Sequence, residues 1–548
     1  MITKLFNSKI NSITVAAMVV ASASLASRFL GIFRDRILAG EFGAGATLDM
    51  YYAAFRIPDL VFNLLVLGAL SAGFIPIFAS LIHKKSVGQN DDKCPMAGTT
   101  QAWQVANSIV NILGILLLTV SPILIIFAPE LMRFIAPGFS EEQQAITATL
   151  TRIMFLSPFF LGLSSVFGGI LQSFKCFFVY SLAPIMYNVG IIIGALYFVP
   201  LWGIYGLAYG VIFGALMHFL IQVPTAFHLG YRYKFVLDYK NKYVRDIGLM
   251  MIPRTLSLAI AQVNLVVVTV IASLLTAGSL TIFNFANNLQ SFPVGIFGIS
   301  FAIAAFPTMS AFTKDREALI KNFSKVLRQI IFFILPATVL MLTLRAQIIR
   351  VILGSGRFDW QDTILTIDTL TYFCLSLFAQ ATIPLLVRMF YVNKNSKTPF
   401  YVALSSVIIN IGLSWYFAKI MGVAGLALAF SISTIINFAM LWILLKVEFG
   451  NLDEVRILIS TLKISLASIF AGVAVQTMKF AVWPFIDMTK FWGVLIQGLV
   501  AGSFGILIFI AITWILRSEE LMNFIRSIRA KQKRERIETD DVGEARGI

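Results

Sequence analysis

The sequence predicts an all-α, polytopic membrane protein of about fourteen transmembrane helices. Two parallel six-helix repeats surround a central cavity, and two C-terminal helices follow. Three observations carry this prediction. The first is composition: of 548 residues, 58% are hydrophobic and 13% charged, against about 25% charged in a soluble domain. A soluble enzyme and a nucleic-acid-binding protein are both excluded, despite the net charge of +16. The second is the continuity of the apolar runs. Ile109 to Phe127 is apolar almost throughout, whereas the strands of a membrane β-barrel alternate. The third is an internal repeat. Gly203-Ile-Tyr-Gly206-Leu-Ala recurs as Gly422-Val-Ala-Gly425-Leu-Ala, and Asn188-Val-Gly190 as Asn410-Ile-Gly412. Lys175 and Lys397, each just before an apolar run, mark the same period, and Phe55, Phe62 and Gly68 match Phe285, Phe292 and Gly298.

A spanning helix needs ~20 mostly apolar residues. The first six runs lie at about 12–38, 50–82, 102–128, 147–172, 179–200 and 203–229. The next six lie at about 247–275, 279–311, 323–348, 363–392, 399–419 and 423–446, and the last two at about 458–483 and 490–516. Lys4 and Lys9 precede the first run, and Ala21-Ser22-Ala23 resembles a signal-peptidase site. The apolar helical pattern continues through Leu25, Phe29 and Phe33, so a first spanning helix is expected there. The resulting divisions are 1–230 for the N-terminal half, 231–450 for the C-terminal half, 451–517 for helices 13 and 14, and 518–548 for a charged cytoplasmic tail. An even number of helices per repeat keeps both halves in one orientation, the design of a transporter that rocks one half against the other.

Charge sets the orientation. With both termini inside, 29 of the 43 Lys and Arg fall on the inner side, seven on the outer side and seven within or beside spans. That is a strong positive-inside bias, and it accounts for the net charge through anionic inner-leaflet lipid. The basic stretch from Arg526 to Arg536, followed by Glu538, Asp540, Asp541 and Glu544, reads as a solvated or membrane-surface helix with a disordered end.

No P-loop and no nucleophile–base constellation is present. The three cysteines and three histidines have no metal-binding spacing. No cofactor and no catalysis are expected. The informative residues are the intramembrane charges, each costly unless it faces protein or a wet cavity. Arg28 lies ~24 Å along the first span if that helix starts near Ser12. Arg56 lies nearer the outer surface and Arg254 nearer the inner one, beside Pro58 and Pro253. Each proline removes an amide donor and frees a carbonyl, which favours a broken or cavity-lining helix. Basic centres with few acids favour an anionic substrate, and the planar fork of Arg suits phosphate. A cation exporter would need the opposite sign. The alternative is local pairing: Arg28 shares a helix face with Asp35, and Asp49 or Asp59 could pair Arg56.

One resemblance covers essentially the whole chain. Ser27-Arg28-Phe-Leu-Gly31-Ile-Phe-Arg34-Asp35, Phe42-Gly43-Ala44-Gly45, Asp49, Phe55-Arg56-Ile-Pro58 and Gly68-Ala69-Leu-Ser71-Ala-Gly-Phe74-Ile-Pro76 resemble the N-terminal signature of the MurJ (MviN) family. Phe292-Pro293-Val-Gly295 and Phe306-Pro307 resemble its eighth helix. Those proteins are lipid II flippases of peptidoglycan synthesis, in the superfamily that includes MATE exporters and polysaccharide flippases. The resemblance implies a monomeric, multi-pass protein of the bacterial cytoplasmic membrane with both termini cytoplasmic. It moves lipid II, an undecaprenyl-pyrophosphate-linked disaccharide-pentapeptide, from the inner to the outer leaflet by alternating access. It further implies a cationic cavity for the pyrophosphate and a membrane-facing groove for the undecaprenyl tail. Carried over by motif, Arg28, Arg34, Asp35, Asp49 and Arg56 are substrate-site residues. The chain departs from the family where its further basic pair on span 2 falls on Phe62 and Asn63, its acid there on Leu67, and its span 8 basic residue on Asn288; Arg254 is a candidate replacement. The acid found on span 11 in some relatives falls on Ser414, one turn after Asn410, which leaves a coupling ion or the membrane potential open as the drive. The alternatives are a flippase for another polyprenyl-pyrophosphate glycan, a MATE-like multidrug exporter, or a non-transporting scaffold of the envelope machinery.

Overall fold

The computed structural model describes residues 13–67, 73–83 and 100–526; the side chains of 13–18, 67, 83, 253, 254 and 257 lie outside the described set. Among the described residues every regular element is helical. Helical segments coincide with each expected span: α1 (Ile13–Phe42), α2 (Ala46–Val61), α3 (Thr100–Ile126), α4 (Glu141–Ser173), α5 (Phe177–Trp202), α6 (Tyr205–His228) and α7 (Lys242–Ser273). They continue as α8 (Ser279–Ala311), α9 (Arg316–Thr343), the bent pair α10 (Trp360–Cys374 with Leu377–Val392), α11 (Lys397–Met421), α12 (Val423–Phe449), α13 (Glu454–Phe485) and α14 (Phe491–Ile515). Ten of the described helices are long and apolar enough to cross a membrane, eleven if α10 counts as one span. The three outside that set are α1, α2 and α7, which carry the candidate charges at Arg28, Arg34, Arg56 and Arg254.

Local chemistry explains the helix ends. Ser140 and Gln143 form a capping box at the start of α4. Asp315 accepts from the Ala318 amide at 3.0 Å and starts α9. Among the described residues π-turns occur at Phe62–Leu67, Gly194–Phe198 and Val294–Ile299. Such turns insert an extra residue and turn the side chains that follow.

The repeat is visible as recurring backbone geometry. Gly203 and Gly422 both adopt positive φ, at 57° and 60°. In each, the amide three residues on (Gly206, Gly425) donates back to that glycine's carbonyl. Lys175 and Lys394 both take left-handed φ, at 62° and 57°. The next amides, Cys176 and Asn395, donate to the carbonyls of Leu171 and Phe390. Both landmark pairs are 219 residues apart, so the lysine that corresponds to Lys175 is Lys394 rather than Lys397. By the same spacing Asn188 corresponds in number to position 407, three residues before Asn410.

The chain clusters into two compact units. One contains residues up to Phe285 with Ile352–Asp362 and Ile411–Leu426; the other contains Ala286–Val351, Thr363–Asn410 and the remainder. In the first unit α5 and α6 cross on glycine. Gly190 and Gly194 face Gly214 and Gly210, and a Cβ on Gly210 would lie 2.6 Å from the Gly194 Cα. Without a hydrophobic force between helices in lipid, this close backbone approach supplies the packing. In the second unit, Arg328 of α9 is buried between Glu519 and Glu520, with Nη1–O distances of 3.0 and 2.5 Å. Arg456 of α13 bonds the same Glu519 oxygen as Arg328 does, at 2.7 Å. Burial works to raise the Glu519 carboxyl, and its bonds to Arg456 and Arg328 outweigh that and hold it below the usual glutamate range. The beginning of the tail, helical over residues 519–526, is therefore pinned by ion pairs rather than freely solvated; residues 527–548 lie outside the described residues.

Gly210→Val should lower thermal stability in detergent by the equivalent of about 1–3 kcal/mol or more. Gly412→Ala, where an added Cβ meets nothing within 4 Å, should melt close to the parent. Arg328→Ala strands the buried Glu520 and should cost about 3–5 kcal/mol. Removing Arg328 and both glutamates together should cost less than removing Arg328 alone, as a melting series would show. Because the Glu519 value is depressed, its contribution is present above the ordinary carboxylate range of about 4 and lost as pH falls through the folded value. Protease cleavage of the tail should therefore rise in acid.

Candidate anion site of the first unit

Two arginine centres stand in the first unit, and each is positioned by a different helix pair. On α1, Ser27, Gly31 and Arg34 face Asn188 of α5. Asn188 donates to the Ser27 carbonyl and hydroxyl at 3.4 and 3.3 Å and accepts from Arg34 Nη1 at 3.2 Å. A Cβ on Gly31 would lie 3.9 Å from its Oδ1. Arg34 also donates through Nε and Nη2 to one oxygen of Asp35, at 3.0 and 2.8 Å. The Asp35 side chain is 6% exposed and that of Arg34 22%. The helix runs unbroken through Gly31, and Asp35 takes Arg34 as an ion-pair partner. Arg28 lies half-buried on the same helix, beside Ser27.

Arg56 is held differently. Its Nε donates to Thr269 Oγ1 of α7 at 2.7 Å, and its Nη2 to Asn284 Oδ1 of α8 at 3.0 Å. Thr269 and Asn284 each bond a carbonyl four residues back, of Leu265 and Leu280. Both oxygens are thereby aimed at the guanidinium. Among the described residues Arg56 has no ion-pair partner: the pairing expected with Asp49 or Asp59 is not formed. Pro58, two residues on, is buried in α2, and the helix passes into the π-turn at Phe62. Asn63, at one of the departures from the family pattern, donates to the Asp59 carbonyl at 2.8 Å.

Asp49 is fully engaged elsewhere. One carboxylate oxygen accepts from the Gly278 amide at 2.6 Å, and the other from the Thr281 amide and hydroxyl at 2.8 and 2.6 Å. It caps α8 from α2. Nearby, the Arg357 amide donates to the Gly40 carbonyl at 2.8 Å and the Ala44 amide to Asp362 at 2.9 Å. The end of α1, the start of α2, the α7–α8 turn and the 352–362 segment are thus tied together at one end of the unit.

Arg254 lies within α7, but its side chain is outside the described residues. Asn288 is half-buried on α8, one turn beyond Asn284. Asn410 and Ser414 are both buried on α11. In the second unit an apolar pocket of about 250 Å³ opens between α9, α13 and α14, lined by Phe332, Phe333, Leu340, Gly505, Phe509 and Phe524 among others. Sequence reasoning singled out Asn188 only as a repeat marker and missed Thr269 and Asn284. Each is a polar residue inside an otherwise apolar run, and that was the available signal.

Three comparisons place the chain. A protein of Buchnera aphidicola subsp. Baizongia pistaciae described as a probable lipid II flippase MurJ is 28% identical over 433 residues, 76% of this chain and 80% of that one. A solved lipid II flippase MurJ in an inward closed conformation shares the fold with a TM-score of 0.73 and 24% identity, covering 91% of this chain and 98% of that one. An inward-facing MATE-family multidrug resistance transporter of the MOP superfamily shares it with a TM-score of 0.62 and 16% identity, covering 80% and 99%. The family model described as lipid II flippase MurJ matches residues 38–495, and the chain belongs to that family of multi-pass membrane proteins.

Proposed function

We propose that this chain carries lipid II from the inner to the outer leaflet of the bacterial cytoplasmic membrane by alternating access, as a monomer with both termini cytoplasmic, and that it is a transporter rather than an enzyme. The observation that carries the reading is Arg56. Among the described residues this intramembrane arginine bonds only neutral oxygens, forms no salt bridge, and has three of its five N–H donors outside those bonds. Such a centre is expensive in a membrane unless an anion or water completes it. A pyrophosphate offers paired oxygens to a guanidinium fork. Arg34, already neutralised by Asp35, serves better as an orienting group with two N–H donors left for the ligand. Arg28, Arg254 and Asn288 complete the proposed set, with Arg254 standing in for the basic residue that Asn288 replaces. Asp49 serves the site by fixing α2 against α8, and with it the direction from which Arg56 enters. The apolar pocket beside α13 and α14 suits a polyprenyl tail.

The ties among Gly40, Ala44, Asp49, Gly278, Arg357 and Asp362 all lie at ends that the charge distribution assigns to the outer side. The sign of the site disfavours a cation exporter. The domain division at 230 and 450, the count of fourteen spans and the drive, by ion or by membrane potential, belong to the same proposal.

Arg56→Ala should abolish rescue of a cell depleted of its lipid II flippase while the protein still accumulates in the membrane. Arg56→Lys should restore little, because an ammonium lacks the fork. Normal rescue by Arg56→Ala would remove the site. In a cysteine-free background, Lys240→Cys should react with an impermeant maleimide only from the cytoplasm and Gln361→Cys only from outside; the reverse pattern would invert the proposed topology.

A further inference from the structure

We propose that the first unit carries a second lipid site, apart from the arginine centre: a slot that takes one acyl chain of an anionic phospholipid of the inner leaflet. The slot has a volume of about 380 Å³ and opens between α3, α4, the end of α6 and the segment after it. Its lining is apolar, with Ile115, Leu118, Phe159 and Leu163 from α3 and α4 and Phe227, Tyr231, Tyr233 and Phe235 from the end of α6 and the segment after it. From Val110 to Leu118 it follows α3 for about 12 Å, against about 15 Å for one leaflet's share of the hydrocarbon core. An apolar space lined over that length of α3 has room for one chain.

The mouth is built by residues 231–238, a non-helical run laid across α3. Its alternate carbonyls are satisfied by side chains of that helix. Asn107 donates to the Arg232 carbonyl, and Asn111 to those of Lys234 and Val236, each at 3.0 Å. Asn107 accepts from the Lys234 amide and the Tyr231 hydroxyl, at 3.1 and 2.9 Å, and Ser108 accepts from the Asp238 amide at 3.4 Å. Irregular backbone at membrane depth needs its polar groups satisfied by protein, and three consecutive-face polar residues on an otherwise apolar helix do this. The segment then presents Tyr233, Phe235 and Tyr239, exposed by 56%, 69% and 69%, in the manner of an interfacial aromatic belt.

Charge selects the headgroup. Arg232 Nη1 bonds the carbonyls of Phe227 and Tyr231, both of which line the slot, at 3.1 Å. Lys234 is exposed two residues on, and Lys240, Lys242 and Arg245 follow. On the proposed orientation this end meets the cytoplasmic leaflet, whose anionic lipids attract such clusters. From Arg232 to Arg245 five cations stand against the single acid Asp238, a surplus that a neutral lipid would leave without a counter-charge.

The full chain, purified from nanodiscs of phosphatidylcholine and phosphatidylglycerol, tests this by mass spectrometry of the lipid it retains after detergent exchange. The parent should retain phosphatidylglycerol in preference. Gly114→Phe fills the slot from a position where a Cβ meets nothing within 4 Å; it should lose most retained lipid with an unchanged melting temperature. The double variant Arg232→Ala/Lys234→Ala should keep a lipid but lose the preference, by roughly tenfold. Should Gly114→Phe fail to fold, the double variant decides alone. Equal retention of both lipids by the parent, or a preference unchanged in the double variant, overturns the proposal. Displacement by undecaprenyl phosphate would also overturn it and assign the slot to the transported lipid. Retention is read without transport, so this outcome is separate from the fate of the flippase reading.

Discussion

Hydrocarbon offers no partner for a polar group, so a charge or an irregular peptide placed within the membrane must be completed by the protein itself or by what it carries. Asp35 completes Arg34, and Glu519 and Glu520 complete Arg328. Asparagine side chains complete the backbone after Tyr231. Asp49 completes the first amides of α8. Among the described residues Arg56 bonds two neutral side-chain acceptors and forms no salt bridge, with Asp59 the acid whose charge acts on it from one turn away. The same rule that makes the other groups structural makes this one the natural place for an anionic ligand.

Packing follows from the same solvent. Helices cannot gain from hiding apolar faces that lipid already solvates, so α5 and α6 approach through paired glycines. That contact holds the α5 face from which Asn188 reaches Arg34 and Ser27 on α1. The charge-bearing helix is therefore positioned by an uncharged crossing, and the π-turns after Val61 and Ile193 give neighbouring segments a local change of side-chain direction.

Much of the architecture was legible in the chain because its signals are long. Apolar runs of more than twenty residues, a charge bias and a repeat each average over many positions. The Gly203 and Gly422 motifs were found for this reason, and the structure gives both glycines a positive φ. Single-residue correspondences were weaker. Lys397 matched Lys175 by its place before an apolar run, but the turn geometry belongs to Lys394. At the site, the arginines could be named from their cost in a membrane, while their partners could not. Whether Arg34 meets Asp35 or Arg28 does depends on side-chain direction along α1 and on where Asn188 of another helix arrives. Thr269 and Asn284 lie more than 200 residues from Arg56 in sequence, and no periodicity links them.

The central claim is that Arg56 is completed by the phosphate of the transported lipid. Binding of undecaprenyl pyrophosphate to the purified chain, with Arg56→Gln beside the parent, measures it most directly. The account predicts an affinity at least about tenfold weaker in the variant, equivalent to ~1.4 kcal/mol, with unchanged melting of the ligand-free protein. Equal affinity in parent and variant would contradict it and leave Arg56 a structural link between α2, α7 and α8.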